Sequence, residues 1–245
     1  MINCNIGVQV RLGSTRLPKK SLLKIDGEAI IGLLLENILA SEITLRKKKN
    51  VFYICPNTFV LVPDHELKFW AEFIDQFNYG HNSSIRCIPG SEENVFQRFE
   101  SMHQSGADYI VRITGDCPIL PNQLITKAVI TGIRHRLDYL SNVDPIYRTA
   151  PDGYDIEVIS GRAFDWLSEE IENGTNEDRE HVTTYLRNNF EKWMRVAILS
   201  HPLDLSDLKY SVDTQEDFEE VKRRYESKKN KDRLAIANGW GVYEY

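Results

Sequence analysis

The sequence of 245 residues contains no apolar run long enough to cross a membrane. Its longest strongly apolar stretch, Ala29–Ala40, is interrupted by Glu36 and Asn37 and is shorter than the roughly 20 residues that a transmembrane helix requires. The N-terminus also lacks a charged segment followed by an apolar one and a cleavage site, so no secretory signal is predicted. These absences predict a cytoplasmic protein with no membrane partner.

Basic residues are not in excess, because 30 Lys and Arg stand against 36 Asp and Glu, for a formal net charge of −6. A chain with this balance has no broad positive surface for nucleic acid, so an anionic ligand must be held by a local cluster of cations. The cysteines are widely spaced and form no CxxC pair, which disfavours a structural zinc site. We expect free, reduced thiols at Cys4, Cys55, Cys87 and Cys117.

β-branched apolar segments alternate with segments of helical periodicity in the first half of the chain. We predict strands at Asn5–Val10, Asn50–Cys55, Ser84–Ile88 and Tyr109–Ile113. The predicted helices are one of about three turns within Ala29–Ala40, one at Asp64–Phe77, one that Ser91 caps, and one at about Pro121–Arg136. We expect Pro56 to end the second strand. This alternation predicts an α/β fold with parallel βαβ units.

The second half is less regular. We predict strands at Tyr139–Ser141, Tyr154–Ile159, Trp193–Leu199 and Leu208–Val212. We predict helices at Gly161–Glu172, Glu177–Asn188 and Gln215–Ser227. No linker separates independent units, so we expect a single domain over residues 1–227, with a nucleotide-binding core at about 1–137 and a substrate-side elaboration at about 138–200. The C-terminal tail, 228–245, is predicted either to be disordered or to dock on the core or on a second subunit.

A cationic loop follows the first strand, and its charges are Arg11, Arg16, Lys19 and Lys20. Ligands of parallel α/β sheets bind beyond the carboxyl ends of the strands, where four cations suit a triphosphate. Gly13 permits close approach of the backbone, and Pro18 restricts the flexibility of the loop. The loop is not a Walker A motif, because Pro18 stands where a glycine would precede the lysine. A solvated basic loop is the alternative.

Two aspartates follow predicted strands. Asp116 ends the apolar segment that begins at Val111, and one or two such carboxylates are what Mg²⁺ needs when it binds together with nucleotide phosphates. Asp213 ends the segment at Leu208–Val212 and precedes a helix. It is therefore either a helix cap or a second metal ligand, and its spacing does not decide between the two.

The segment Arg11–Lys20 resembles the R-x-x-S-T-R-L-P-x-K signature of cytidylyltransferases that activate sugars. That family includes the 3-deoxy-manno-octulosonate and acylneuraminate enzymes and the spore-coat polysaccharide protein F branch. Further ordered segments agree with the family, namely Gly90–Val95 with Arg98 and Phe99, Arg112–Pro118, and Val212–Asp217. Two more, Pro151–Val158 and Arg179–Thr183, resemble the spore-coat branch. The resemblance covers about residues 3–227.

The resemblance implies a Rossmann-like three-layer nucleotidyltransferase fold with a mostly parallel sheet and a smaller acceptor-side and dimerisation elaboration. It implies a homodimer that transfers CMP from CTP to a sugar-acid-type small-molecule acceptor and releases pyrophosphate, for the biosynthesis of a surface polysaccharide or glycan. Mg²⁺ would be held by Asp116 and Asp213. Arg11, Lys20 and Asp116 would be the catalytic residues. The nucleotide would contact Arg11, Gly13, Ser14, Arg16, Lys20, Pro56, Gly90, Ser91, Glu92 and Asp116.

The acceptor side is less defined. The candidates for acceptor binding are Arg148, Asp152, Asp155, Glu157 and His181. Asp155 and Glu157 are two residues apart on a predicted strand, so they are expected to share one face. Histidine exchanges protons near neutral pH, and His181 is either a proton acceptor or donor or a structural residue at a helix start. A same-fold nucleotidyltransferase with another nucleotide or a phosphorylated acceptor, and a silent nucleotide-binding protein, are the alternative functions.

Overall fold

The computed structural model describes residues 1–47, 53–227 and 240–244. The first half contains β1 (Ile2–Gln9), β2 (Lys24–Ile25), β3 (Glu28–Ala29), α1 (Ile30–Lys47), β4 (Ile54–Pro63), α2 (Leu67–His81), β5 (Arg86–Gly90), α3 (Val95–His103) and β6 (Tyr109–Thr114). The second half contains α4 (Asn122–Arg134), β7 (Tyr139–Ser141), β8 (Glu157–Ser160), α5 (Gly161–Glu170), α6 (Asn176–His181), α7 (Thr184–Asn188), β9 (Val196–Ser200), α8 (Gln215–Ser227) and β10 (Gly241–Glu244). Short 3-10 turns lie at Lys20–Leu22, Asp64–Glu66 and Ile171–Asn173.

Eight of these strands form one sheet in the order β10-β9-β7-β8-β6-β1-β4-β5, and β2 and β3 form a separate hairpin. The strands β5, β4, β1 and β6 are parallel neighbours, while β8 runs antiparallel to both β6 and β7. From β1 the chain moves outward through β4 to β5 and then returns to place β6 on the other side of β1. The order of strands therefore reverses between β1 and β6, and ligands bind at such a point in open α/β sheets.

Helices cover both faces of the sheet because its central strands are apolar on both sides. In β4, Val60 and Val62 pack with α1, α2 and α4, whereas Phe59 and Leu61 pack with α3 and α5. A third apolar cluster joins α8 to the hairpin and to the start of α1, and it includes Val212. This architecture confirms the predicted three-layer α/β fold with a mostly parallel sheet. No helix in the described ranges combines the length and hydropathy that a membrane span requires.

Pro56 does not end a strand, and that prediction is wrong. β4 continues from Ile54 to Pro63, because β5 pairs with it only from Phe59 onward. On the side that faces β5, Pro56 has no partner strand, so its missing N–H removes no hydrogen bond between strands. The predicted strand Asn50–Cys55 begins outside the described residues, which exclude 48–52.

Other local predictions differ in their ends. α1 runs to Lys47 rather than for three turns, and Asn94, not Ser91, caps α3, since its side chain accepts from Gln97 N. The predicted helix Glu177–Asn188 is two short helices that break at Val182. Leu208–Val212 forms no strand and contributes one bridge between Asp152 and Lys209.

Part of the C-terminal tail docks on the core. β10 pairs antiparallel with β9, and the Trp240 side chain before it is only 2% exposed. For residues 240–244 this placement agrees with the prediction that the tail docks on the core. Residues 228–239 lie outside the described ranges.

Candidate active site

A pocket of about 310 Å³ opens at the reversal between β1 and β6. Its floor includes Gln9 and Val10 at the end of β1 and Thr114, Gly115 and Asp116 at the end of β6. The cationic loop after β1 forms one wall, and the end of α6 and the start of the α8 segment reach it from the second half of the chain. The pocket therefore lies where parallel sheets bind their ligands.

A buried carboxylate holds the cationic loop in place. Both oxygens of Glu66 accept from the backbone N–H of Leu12 at 2.9 Å, and Oε2 also accepts from Trp70 Nε1 at 2.8 Å. Glu66 is 6% exposed. Sequence reasoning missed this residue, because an acid at the start of a predicted helix has an ordinary local explanation. The loop is thus tied to the second helix rather than solvated along its length.

Lys20 lies between the two aspartates predicted as metal ligands. Its Nζ donates to Asp116 Oδ2 at 2.7 Å and to Asp213 Oδ1 at 2.9 Å. Arg16 Nη2 also donates to Asp213 Oδ1, at 2.9 Å. Burial alone would lower the pKa of Lys20, but the charges and hydrogen bonds of the two carboxylates outweigh it and raise that pKa. Residues almost 200 positions apart in the sequence therefore form one charge cluster.

The carboxylate of Asp213 does not cap α8. Thr214 Oγ1 accepts from the N–H of Asp217 at 3.2 Å, and Asp217 Oδ2 accepts from the N–H of Thr214 at 2.9 Å, so these two residues satisfy the helix start. Burial acts to raise the pKa of Asp213, but Lys20, Arg16 and Lys209 hold it below the usual value. The carboxylate of Asp213 is therefore not used by the helix and faces the pocket as an anion.

The residues fit a magnesium ion shared with phosphate groups. Oxygens of Asp116 and Asp213 each lie within 3 Å of one Lys20 nitrogen, so both carboxylates converge on one point. Within the described part of the chain, no group of three or more His, Cys, Asp or Glu side chains could hold a metal ion alone. Mg²⁺ commonly takes one or two carboxylates and completes its shell with substrate phosphates and water. The donor set matches that arrangement.

The pocket collects most of the predicted loop residues and both aspartates. The predicted residues that line it are Arg11, Ser14, Arg16, Lys20, Asp116, His181 and Asp213. Gly13 stands beside the predicted base segment, because a Cβ at this position would lie 3.1 Å from Glu92 Oε1. Sequence reasoning did not assign Gln9, Val95, Arg98 or Glu180, which also line the pocket.

A strained turn carries His181 into the pocket. Val182 adopts φ 63° and ψ −56°, and the N–H of Thr183 donates to the carbonyl of His181 at 2.6 Å, which closes a γ-turn. A β-branched residue rarely adopts a positive φ, and such strain persists only where surrounding packing imposes it. Val182 is fully buried, so its packing supplies that constraint. Beside His181, Glu180 Oε1 lies 3.9 Å from Arg11 Nη2.

Pro56 does not flank the pocket. It pairs with Cys4, five residues before the Gln9–Leu61 pair at the site, which corresponds to about 16 Å along the strands. Its carbonyl instead accepts from Arg46 Nη2 at 2.7 Å. The structure does not bring Pro56 to the pocket, and contact of its backbone with the base stays a prediction.

Glu157 is 1% exposed, and its carboxylate accepts from Arg112 Nη1 and from the Tyr139 hydroxyl inside the sheet. Burial would raise its pKa, but Arg112 in particular keeps it below the usual value. Glu157 does not line the pocket, and its contact with an acceptor stays a prediction. Asp155 precedes β8 rather than sharing its face, and it pairs with Arg148 Nη2 at 2.5 Å.

Asp152 and Asp155 belong to a cluster around Arg148 that does not line the pocket. Arg148 also donates to the carbonyls of Ala150 and Pro151, at 3.1 Å each. The three charged residues therefore pair with one another and hold this loop in place. A role for them in acceptor binding stays a prediction.

The site combines a cationic loop with two converging carboxylates, and it lies where the strand order of a three-layer α/β sheet reverses. This combination defines a nucleotide-binding protein of the nucleotidyltransferase kind. A model of the cytidylyltransferase family matches residues 6–244. The chain belongs to that family, and it is a nucleotidyltransferase.

Named relatives extend this comparison. An uncharacterised protein of Methanocaldococcus jannaschii is 32% identical over 216 residues, covering 86% of this chain and 78% of that protein. The spore coat polysaccharide biosynthesis protein SpsF of Bacillus subtilis is 27% identical over 224 residues, covering 89% and 85%.

Solved structures share the fold. A cytidylyltransferase from Leptospira borgpetersenii has a TM-score of 0.78 at 24% identity, over 96% of this chain and 92% of that one. The structure of CMP:2-keto-3-deoxy-manno-octonic acid synthetase complexed with CTP has a TM-score of 0.62 at 16% identity, over 92% of this chain and 99% of that one. At these identities the likeness concerns the fold.

Proposed function

We propose that this protein transfers CMP from CTP to a sugar-acid acceptor, with release of pyrophosphate, in the biosynthesis of a surface polysaccharide. The observation that carries the proposal is the convergence of Lys20, Asp116 and Asp213 beside the cationic loop. Family membership, the name of the Bacillus relative and the CTP complex of the structural neighbour support the nucleotide and the pathway class. The domain division into a nucleotide core and an acceptor-side elaboration is part of the same proposal.

In this reaction an acceptor hydroxyl oxygen forms a bond to the α-phosphorus of CTP. The bond from that phosphorus to the bridging oxygen breaks, and its electron pair leaves with pyrophosphate. Negative charge grows on the phosphate oxygens, so catalysis requires positive groups that are already in position. Arg11, Arg16 and Lys20 supply such groups at the pocket wall. We assign them to the phosphates of the nucleotide and the pyrophosphate that departs.

Asp116 and Asp213 would hold Mg²⁺, which supplies Lewis-acid stabilisation of the phosphates when it is bound. His181 faces the same pocket, and its imidazole is our candidate to accept the proton of the acceptor hydroxyl. Glu180, the preceding residue, lines the same pocket. The chain's own role is therefore to position the reactants, balance charge and move one proton.

The test measures pyrophosphate release by the full chain with Mg²⁺, a panel of sugar acids, and CTP, UTP, GTP or ATP. We expect release only with CTP and a subset of the sugar acids. Release with another nucleotide would overturn the CTP assignment. CTP binding without release for any acceptor, including phosphorylated sugars, would favour a silent nucleotide-binding protein.

The family resemblance also implies a homodimer. Exposed apolar side chains in the region after β7 support this part of the proposal, and they include Ile146, Tyr147 and Leu203. Sedimentation equilibrium should give twice the chain mass. A monomer at micromolar concentration would contradict it.

A further inference from the structure

Arg98 is a buried cation that has no carboxylate partner. Its side chain extends from α3, lines the pocket, and is 2% exposed. Nη1 donates to the carbonyl of Leu61 at 3.0 Å, and Nη2 donates to the carbonyl of Glu92 at 3.3 Å. Within residues 1–47, 53–227 and 240–244, Nε has no hydrogen-bond partner, and Arg98 takes part in no ion pair.

Such a group is unfavourable in a protein that binds no anion. Arginine is almost never fully buried unless it is paired, since a buried charge without a counter-charge loses its hydration. Burial first, and then the positive charge of Arg11, lower the pKa of Arg98 to about 10. Glu66, Glu92 and Asp64 act in the opposite direction but do not offset these effects. The fold therefore retains a positive charge that its own carboxylates do not balance.

The surrounding residues are built to hold this guanidinium in one place. A Cβ at Gly90 would lie 2.7 Å from Arg98 Cγ, so a glycine at this position leaves room for the aliphatic part of the arginine side chain. The Leu61 carbonyl also accepts from the N–H of Val10 at 3.1 Å, where β1 passes into the cationic loop. Arg98 thus joins the ends of β1 and β4 to the Glu92 segment. The charge is fixed in position before any ligand arrives.

We propose that Arg98 is a nucleotide-binding residue whose charge is balanced by a phosphate oxyanion of the bound nucleotide, in the pocket that Arg11 also lines. The proposal rests on the proposed function and adds a residue that the cationic loop does not contain. Two guanidinium groups that line one pocket repel each other, and an oxyanion bound between them would stabilise both. The arrangement favours phosphate over a neutral ligand.

The experiment compares the wild type with Arg98→Met, which keeps the stem and removes the charge. Titration calorimetry would measure the Kd of CTP, CMP, cytidine and inorganic tripolyphosphate. We expect the Kd of CTP and of tripolyphosphate to rise at least tenfold, with the Kd of cytidine within twofold of the wild type. Arg98→Lys should recover part of the loss, because it restores the charge without the fork of donors.

Arg86→Met is the matched control, because Arg86 lies outside the pocket with its guanidinium 4.6 Å from the centre of the Phe59 ring. We expect this variant to bind CTP like the wild type. The melting temperature of unliganded Arg98→Met should equal or exceed that of the wild type, since the substitution removes an uncompensated buried charge.

A Kd of tripolyphosphate within twofold of the wild type in Arg98→Met would overturn the inference. An equal loss of affinity for CTP and for cytidine would also overturn it, because the residue would then act on pocket shape. The proposed function fails separately. A wild type that binds tripolyphosphate through Arg98 but shows no preference for CTP would refute the function and leave the inference standing.

Discussion

Replacement of Asp116 by Asn should separate catalysis from stability. The change removes one negative charge and one of the two ion pairs of Lys20, while the pair with Asp213 at 2.9 Å remains. The side chains of Asp116 and Lys20 are 23% and 15% exposed, and a pair that solvent reaches contributes about 0.2–1 kcal/mol. The free energy of unfolding should therefore fall by about 1 kcal/mol or less.

The effect on the reaction should be much larger. A carboxylate that holds the metal contributes to transition-state stabilisation of several kcal/mol, and about 3 kcal/mol is more than a hundredfold in rate. Steady-state pyrophosphate release gives kcat/KM, and urea denaturation gives the stability of the same preparation. Asp75→Asn on the exposed face of α2 is the matched control for the change in charge.

A value of kcat/KM for Asp116→Asn within tenfold of the wild type would refute this account of the carboxylate. A loss of more than 3 kcal/mol in stability would refute the estimate worked from its ion pairs. The control variant should match the wild type in both measurements.

Three further substitutions test how the site is supported. Glu157→Gln should lower the free energy of unfolding by about 3 kcal/mol in urea, because it removes a buried carboxylate and leaves Arg112, whose side chain is only 13% exposed, without its counter-charge. Gly153→Ala should cost about 2–4 kcal/mol in the same assay, because φ is +94° and the new methyl group would lie 2.3 Å from Ser211 N. The pKa of Asp138 is lowered, since its hydrogen bonds from Arg162 and Arg195 outweigh burial, so its stabilisation is present above about pH 4 and is lost as the pH falls through the folded pKa. The melting temperature of the wild type should therefore fall more steeply from pH 5 to pH 3 than that of Asp138→Asn.

Each of these expectations has a contrary result. A loss below 1 kcal/mol for Glu157→Gln would mean that water or another group compensates Arg112. Wild-type stability in Gly153→Ala would contradict the close approach of Tyr210 and Ser211 to this turn. Parallel pH profiles for the wild type and Asp138→Asn would mean that Asp138 titrates alike in the folded and unfolded chain.

Local hydrophobic periodicity predicted those helices and strands whose bounds follow from the pattern of buried and exposed positions. Tyr139–Ser141 and Gln215–Ser227 have the predicted bounds, and β6 extends one residue beyond its predicted end. The error at Pro56 has a tertiary cause, because only the late pairing of β5 makes that proline harmless. A sequence window contains no information on which side of a strand lacks a neighbour.

The residues of the candidate site also fall into two groups, those predictable from the local sequence and those that only the tertiary structure reveals. The cationic loop and Asp116 were predictable because each follows a strand, and the carboxyl ends of parallel strands share one edge. Asp213 stayed ambiguous until the structure showed that Thr214 and Asp217 cap the helix in its place. Arg98 lies in a segment that resembles the family, but its burial and that of Glu66 were not predicted, because a single charge in an amphipathic helix or at its start predicts solvent exposure.

The most direct test of the central claim determines which phosphate of CTP is transferred to the acceptor. The wild type would be incubated with Mg²⁺, a sugar-acid panel, and CTP labelled at either the α- or the γ-phosphate. Our account predicts that the α label appears in a sugar product and the γ label in pyrophosphate. Transfer of the γ label to an acceptor, or no transfer of the α label by a protein that binds CTP, would contradict it.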